Sequence, residues 1–178
     1  GIRLEEMDHD EIEARRTMME LDPPQHTRLR RLVNRGFTRQ TVETFEEPIR
    51  NLAIEIIERA LSKNEFDFVD DVARILPMRM LGRLLGVPDE DGELLVDLGD
   101  QLLSNSDPEY TDHVVDKVDT EEFRLIPFRS PAGLEVFKYA QNAASERRNS
   151  QHQDLITRLL EPTNDGQPLT DLEFNNFF

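Results

Sequence analysis

The sequence predicts a mainly α-helical fold. Two observations carry that expectation: apolar residues recur at steps of three to five over most of the chain, and only one short stretch alternates as a strand would. A length of 178 residues suits about one domain. Charged residues make up 33% of the chain and the formal charge is −16, so the fold is a water-facing, acidic, core-forming one. Such a charge excludes a nucleic-acid binder, because neutralising phosphates needs surplus Lys and Arg. No apolar run approaches the ~18–20 residues of a membrane span. No basic segment followed by an apolar stretch is visible, and no Asn-x-Ser/Thr sequon occurs, so a cytoplasmic protein is expected. There is no cysteine, which excludes disulfides, zinc–thiolate sites and thiol catalysis within this chain.

In chain order, residues 5–20 are charged with scattered apolars (Ile12, Met18, Met19) and read as a helix or loop over a surface. Asp22 is expected to cap a helix with Pro23 at its first position and Gln25 at the capping-box position, running to about Arg35 before Gly36. Val42, Phe45, Ile49, Leu52, Ile56 and Leu61 form the clearest amphipathic pattern; Pro48 is tolerated if this helix begins near Glu46. Phe66-Asp67-Phe68-Val69 alternates and predicts a short strand. Helical spacing returns from Asp70 to Leu85 and ends at Gly86-Val87-Pro88; Asp89 caps the next helix, to about Ser104. Residues 105–129 lack a period and read as loop. Ser130-Pro131 opens a helix to Arg148, and Asp154–Glu161 forms a short one. Asn164-Asp165-Gly166 is a turn. Thr170 and Glu173 have capping-box spacing, yet only about two turns remain before Phe178, so a piece of a longer protein is expected.

Residues 22–40 hold Arg28, Arg30, Arg31, Arg35 and Arg39 against one acid, Asp22: a local charge of +4 on a chain that totals −16. His26 and Arg30 are four apart and share a helix face. An imidazole donor beside a planar guanidinium suits one carboxylate or phosphate. Spacing alone leaves open a solvated arginine face with a structural histidine.

Asp22-Pro23-Pro24-Gln25-His26-Thr27-Arg28-Leu29-Arg30-Arg31-Leu32-Val33, followed by Arg35-Gly36-Phe37-Thr38, closely resembles the C-helix segment of bacterial cytochromes P-450. Leu76-Pro77 and Leu84-Leu85-Gly86-Val87-Pro88-Asp89-Glu90-Asp91 are similar to that family's E-to-F segment. Asp154-Leu155-Ile156-Thr157-Arg158-Leu159-Leu160, Asp165-Gly166 and Leu169-Thr170-Asp171, with Glu173, are similar to its H helix and the start of its I helix. The resemblance covers nearly the whole chain. It implies the helical part of the P-450 fold, helices C to H and the start of I, with at most a short strand near 66–69. Residues 1–178 would then be a partial domain, without the N-terminal sheet region and the C-terminal haem-thiolate half.

The resemblance further implies a haem-thiolate monooxygenase carrying haem b, with His26 and Arg30 on a haem propionate. Arg28, Arg31, Arg35 and Arg39 would lie toward the face where the family docks an acidic ferredoxin or flavodoxin, itself fed by an NAD(P)H-dependent reductase. A basic patch on an acidic background orients such a partner. The family's axial ligand is a cysteine thiolate, which this chain lacks, and its oxygen-activating residues lie beyond Phe178, so the chain alone is expected to be inactive. Asn105-Ser106-Asp107-Pro108-Glu109-Tyr110 and Pro127-Phe128-Arg129-Ser130-Pro131-Ala132 are similar to the F–G region of actinobacterial members that oxidise steroid side chains, branched lipids and terpenoids. On that footing the helices Leu94–Ser104 and Pro131–Arg148 form a roof over an apolar substrate, and Met18, Met19, Leu102 and Leu103 are candidate pocket residues, although plain core explains such spacing as well. Asp8-His9-Asp10-Glu11 reads as solvated acid rather than a metal site, and His113 and His152 as exposed loop histidines. The rival reading is a non-catalytic helical module that binds an acidic protein through its arginine helix.

Overall fold

The computed structural model describes residues 7–114, 117–148, 152, 154–163 and 166–178. Among these, all regular structure is helical: α1 (His9–Ala14), α2 (Gln25–Asn34), α3 (Arg39–Glu43), α4 (Glu46–Leu61), α5 (Ile75–Leu85), α6 (Asp89–Leu103), α7 (Pro131–Arg148), α8 (Leu155–Leu159) and α9 (Asp171–Asn175). No helix is long and apolar enough to cross a membrane.

Several helix starts follow their local chemistry. Asp8 accepts from the Glu11 amide at 2.9 Å and Glu11 returns the bond to the Asp8 amide at 3.0 Å, a full capping box for α1. Thr170 and Glu173 repeat the device at α9. Asp154 caps α8 through the Thr157 amide. Pro48 sits in the first turn of α4, where no amide is missed.

Three expectations need correction. The strand at 66–69 does not form: Asp67 Oδ1 accepts from the amides of Val69 and Asp70, winding the chain into a π-helical turn over Val69–Ala73. Helix α2 starts at Gln25, behind a Pro23–Pro24 turn, and it is the Asp22 carbonyl, not its side chain, that accepts from the His26 amide. Asp89 is the first residue of α6, with Pro88 in the cap position. Of the turn expected at 164–166, Asn164 and Asp165 lie outside the described residues.

Helix α7 is the centre. Its small residues Ala140, Ala143 and Ala144 let α8 and α9 approach closely, and Leu85, Val87, Leu155, Ile156, Leu159 and Phe174 complete the core. The end of α7 carries Arg147, 6% exposed, which donates to the Gly86 carbonyl, to Asp154 Oδ2 at 3.2 Å and to the Ala143 carbonyl. Gly86 ends α5 at φ +77°, and a Cβ there would collide with the Asp154 side chain. Tyr139 Oη donates to Asp91 Oδ2 at 2.6 Å, fastening α7 to α6; burial, then the Asp91 carboxylate, pushes the phenol pKa up.

Helix α1 lies over the 121–130 loop. Arg124 Nη1 meets Asp8 Oδ2 at 2.8 Å, and Arg129 Nε donates to Glu11 Oε1 at 3.2 Å. Glu11 is 4% exposed, so it is not the solvated acid its neighbours implied. The loop is strained: Phe128 and Arg129 stand in the left-handed region at φ 60° and 49°, at a cost of roughly 1–2 kcal/mol each. The Asn105 amide holds the Phe128 carbonyl at 2.8 Å.

The Arg129 hydrogen bond lowers the Glu11 pKa; burial opposes it and the Asp8 amide reinforces it, leaving the group below its ordinary 4.5. A carboxylate with a depressed folded pKa stabilises above its unfolded value and loses that contribution as pH falls through the folded one. Arg129→Gln is therefore expected to cost about 2 kcal/mol at neutral pH, with the difference from the parent shrinking below pH ~4, read from urea midpoints at a series of pH values. Gly86→Ala should cost about 2 kcal/mol or more, through the collision and the positive φ. Gly99→Ala, inside α6 with open space around its Cβ, should instead stabilise by roughly 0.5–1 kcal/mol; the same midpoints measure both.

Candidate functional site

Helix α2 sorts its side chains by the 100° step of an α-helix. Leu29 and Leu32 are buried and set the inward face. His26 and Arg30 fall about 40° apart, centred roughly 110° around the helix from the two leucines, His26 half-buried and Arg30 exposed. Neither side chain makes a hydrogen bond or ion pair among the described residues. A guanidinium fork and an imidazole donor, both free on one face, fit a single carboxylate such as a haem propionate.

Arg28 belongs elsewhere. It lies roughly opposite that pair, on the arc of Leu29 and Leu32, and its side chain is 25% exposed. Its Nη1 donates to Glu173 Oε1 at 2.6 Å, and its Nε approaches Thr163 Oγ1 at 3.4 Å. Glu173 is the capping-box acid of α9, its other oxygen accepting from the Thr170 amide at 2.9 Å. Burial pushes its pKa up, but the Thr170 amide and Arg28 outweigh that and hold it below the ordinary value. Arg31 is only about 60° from Arg28 around the helix, so spacing alone does not separate the two; the Glu173 carboxylate that α9 brings beside α2 does. Arg31 is exposed. Arg39 is 93% exposed and pairs with Glu43 one turn along at 2.8 Å. The side chain of Arg35 lies outside the described residues.

The four candidate pocket residues do not converge. Met18 lines a cavity of about 170 Å³ between the 16–21 segment, α2 and α9, with Leu29, Leu172 and Phe177 as apolar wall and Arg28 and Glu173 as polar wall. Leu102 lines a second, more apolar cavity of about 180 Å³ among α5, α6 and α7, with Met78, Leu85, Leu95, Val136 and Phe178. Consecutive residues Phe177 and Phe178 face one cavity each. Met19 (87% exposed) and Leu103 (73%) line neither, because the residue next to an inward-facing one on a helical turn points outward.

Among the remaining candidates, His113 is half-buried and stands edge-on to Phe123 at 5.5 Å, so it is not a freely exposed loop histidine. His152 is exposed, 3.9 Å from Asp154. Asp116, three positions after His113, lies outside the described residues. No cluster of three or more metal-ligating side chains occurs among the described residues.

No family model matches the chain. Among curated proteins it is 32% identical over 174 residues to the steroid C26-monooxygenase of Mycolicibacterium smegmatis, covering 97% of this chain and 38% of that protein. It is 36% identical over 159 residues to the cyclomarin C epoxidase CymV of Salinispora arenicola, covering 88% and 37%. Among solved structures, a Mycobacterium marinum cytochrome P-450 in complex with pseudoionone superimposes with a TM-score of 0.78 at 29% identity, covering 99% of this chain and 41% of that one. The chain thus spans about two fifths of the length of the relatives it matches. Motif order, helical architecture and these similarities agree over nearly every residue, and the chain belongs to the cytochrome P-450 family, of whose fold it forms a helical part.

Proposed function

We propose that the protein carrying this chain is a haem-dependent monooxygenase that hydroxylates an apolar small molecule, of the class of a steroid side chain, a branched lipid or a terpenoid. The observation that carries this reading is the free His26–Arg30 pair on one face of α2, in a chain matched to P-450 monooxygenases over 97% of its length. The similarity to a steroid C26-monooxygenase and to a structure holding pseudoionone favours an apolar substrate. Haem b, when bound with a cysteine thiolate from outside this chain, would supply activation of O2 for insertion into a C–H bond. Residues 1–178 act as a partial domain in this scheme.

This chain's own residues hold and orient. Arg30 presents a permanent fork to a propionate and His26 a second donor, so the carboxylate is gripped from two points one helical turn apart. Arg31, Arg35 and Arg39 orient an acidic ferredoxin or flavodoxin, reduced in turn by an NAD(P)H-dependent reductase, in the cytoplasm. Arg28 leaves that set, because its charge is neutralised by Glu173 inside the fold.

Reducing the full-length protein under carbon monoxide should give the strongly red-shifted Soret band of thiolate-ligated haem; a full-length sample without haem absorbance would refute the reading. His26→Ala with Arg30→Ala should speed haem transfer to excess apomyoglobin by about tenfold or more, the equivalent of one charge-assisted hydrogen bond. Arg31→Glu should slow electron transfer from a ferredoxin at low ionic strength, and stopped-flow traces should converge on the parent as salt is raised.

A further inference from the structure

We infer that Arg28 is a positioning residue: anchored on Glu173, it fixes the roll of α2 about its own axis and so the direction in which His26 and Arg30 point. The inference rests on the haem reading above and deepens it.

Apolar packing holds the inner side of α2. Its fully buried side chains are Leu29 and Leu32, three apart and so only about 60° apart around the helix. Val33, partly buried and packed against the central core, widens the apolar arc to about 100°, ordinary for a packed helix; that arc resists withdrawal of the helix but sets the roll less sharply than a directional bond would. Apolar contacts are non-directional; an ion pair with a defined donor and acceptor is directional. Arg28 provides one from the same inward arc, and its Nε–Thr163 contact gives the guanidinium a second point of reference.

The anchor itself is rigid. Glu173 belongs to α9, whose Phe174 is 2% exposed in the central core. Gln141 of α7 donates to Asn175 at 2.6 Å, locking α9 from another side. One oxygen of Glu173 is spent on the Thr170 amide and the other faces Arg28. The bond therefore connects the anion-holding helix to a fixed point of the core across 145 residues of sequence. Because Arg28 lies across the helix from His26 and Arg30, any roll that its loss permits swings both donors together.

The test uses the full-length holoprotein and a double-mutant cycle of Arg28→Gln and Glu173→Gln. Glutamine at 173 can still serve the capping box, so it removes the charge pairing and keeps the helix start. Three quantities are read: haem transfer to apomyoglobin, the midpoint reduction potential of the haem, and the urea midpoint. Each single variant should speed haem transfer by about tenfold, the low end for a hydrogen bond to a charged group, and should move the potential in the direction that His26→Ala moves it. The double variant should add little to either single one, and Arg28→Lys, which keeps the charge without the fork, should recover part of the effect. Parental haem transfer and potential with only a lower urea midpoint would overturn the inference and leave Arg28 as a plain stabilising contact. Additive effects in the double variant would overturn it too. A full-length protein without haem would instead sink the function proposed above.

Discussion

A buried guanidinium organises this fold. Arg147 reaches from the end of α7 to the carbonyl that closes α5 and to the carboxylate that caps α8. Taking such a charge out of water costs several kcal/mol unless its hydrogen bonds are replaced, and here each partner is one that the fold needs satisfied. The Gly86 carbonyl would otherwise be stranded at a helix end. The Asp154 side chain, only 9% exposed, would be an unpaired buried anion that still had to cap a helix. Three helix termini therefore meet at one cation. The alanine stripe of α7 brings them close enough to do so, and the order of the rest follows from where those termini stand.

The arginines of α2 show the same chemistry divided by geometry. One sequence of closely spaced positive charges yields an internal anchor at Arg28, an outward pair at His26 and Arg30, and surface charges at Arg31 and Arg39. What distinguishes them is what faces them around the helix axis, not residue type. An identical side chain acts as structure when a carboxylate faces it inside the fold and as a binding group when its partner must come from outside.

Much of this was legible in the sequence. Apolar spacing and punctuation at Pro and Gly located the long helices, the capping box at Thr170 and Glu173 formed as read, and Pro48 marked the true start of α4. The failures share a cause: local pattern says nothing about a distant partner. The Phe66–Val69 alternation lacked any strand to pair with, and Asp67 turned the chain into helix instead. Glu11 looked solvated among its acidic neighbours, yet it is buried and bonded to Arg129, from a loop more than a hundred residues away. The His26–Arg30 face could be drawn from spacing, but the role of Arg28 depended on knowing that α9 returns beside α2.

Helix α4 is apolar on two sides. Leu52, Ile56 and Ala60 are buried, while Ile54 and Ile57, each 49% exposed, and Leu61, 69% exposed, form a second stripe on the opposite side. In water that stripe is a sticky seam on a molecule otherwise kept apart by sixteen net negative charges. Handled as an isolated polypeptide, the chain is thus a charged colloid with an adhesive edge. Dilute, low-salt solutions keep it dispersed through mutual repulsion, and added electrolyte, by shortening the reach of that repulsion, lets the seams find each other.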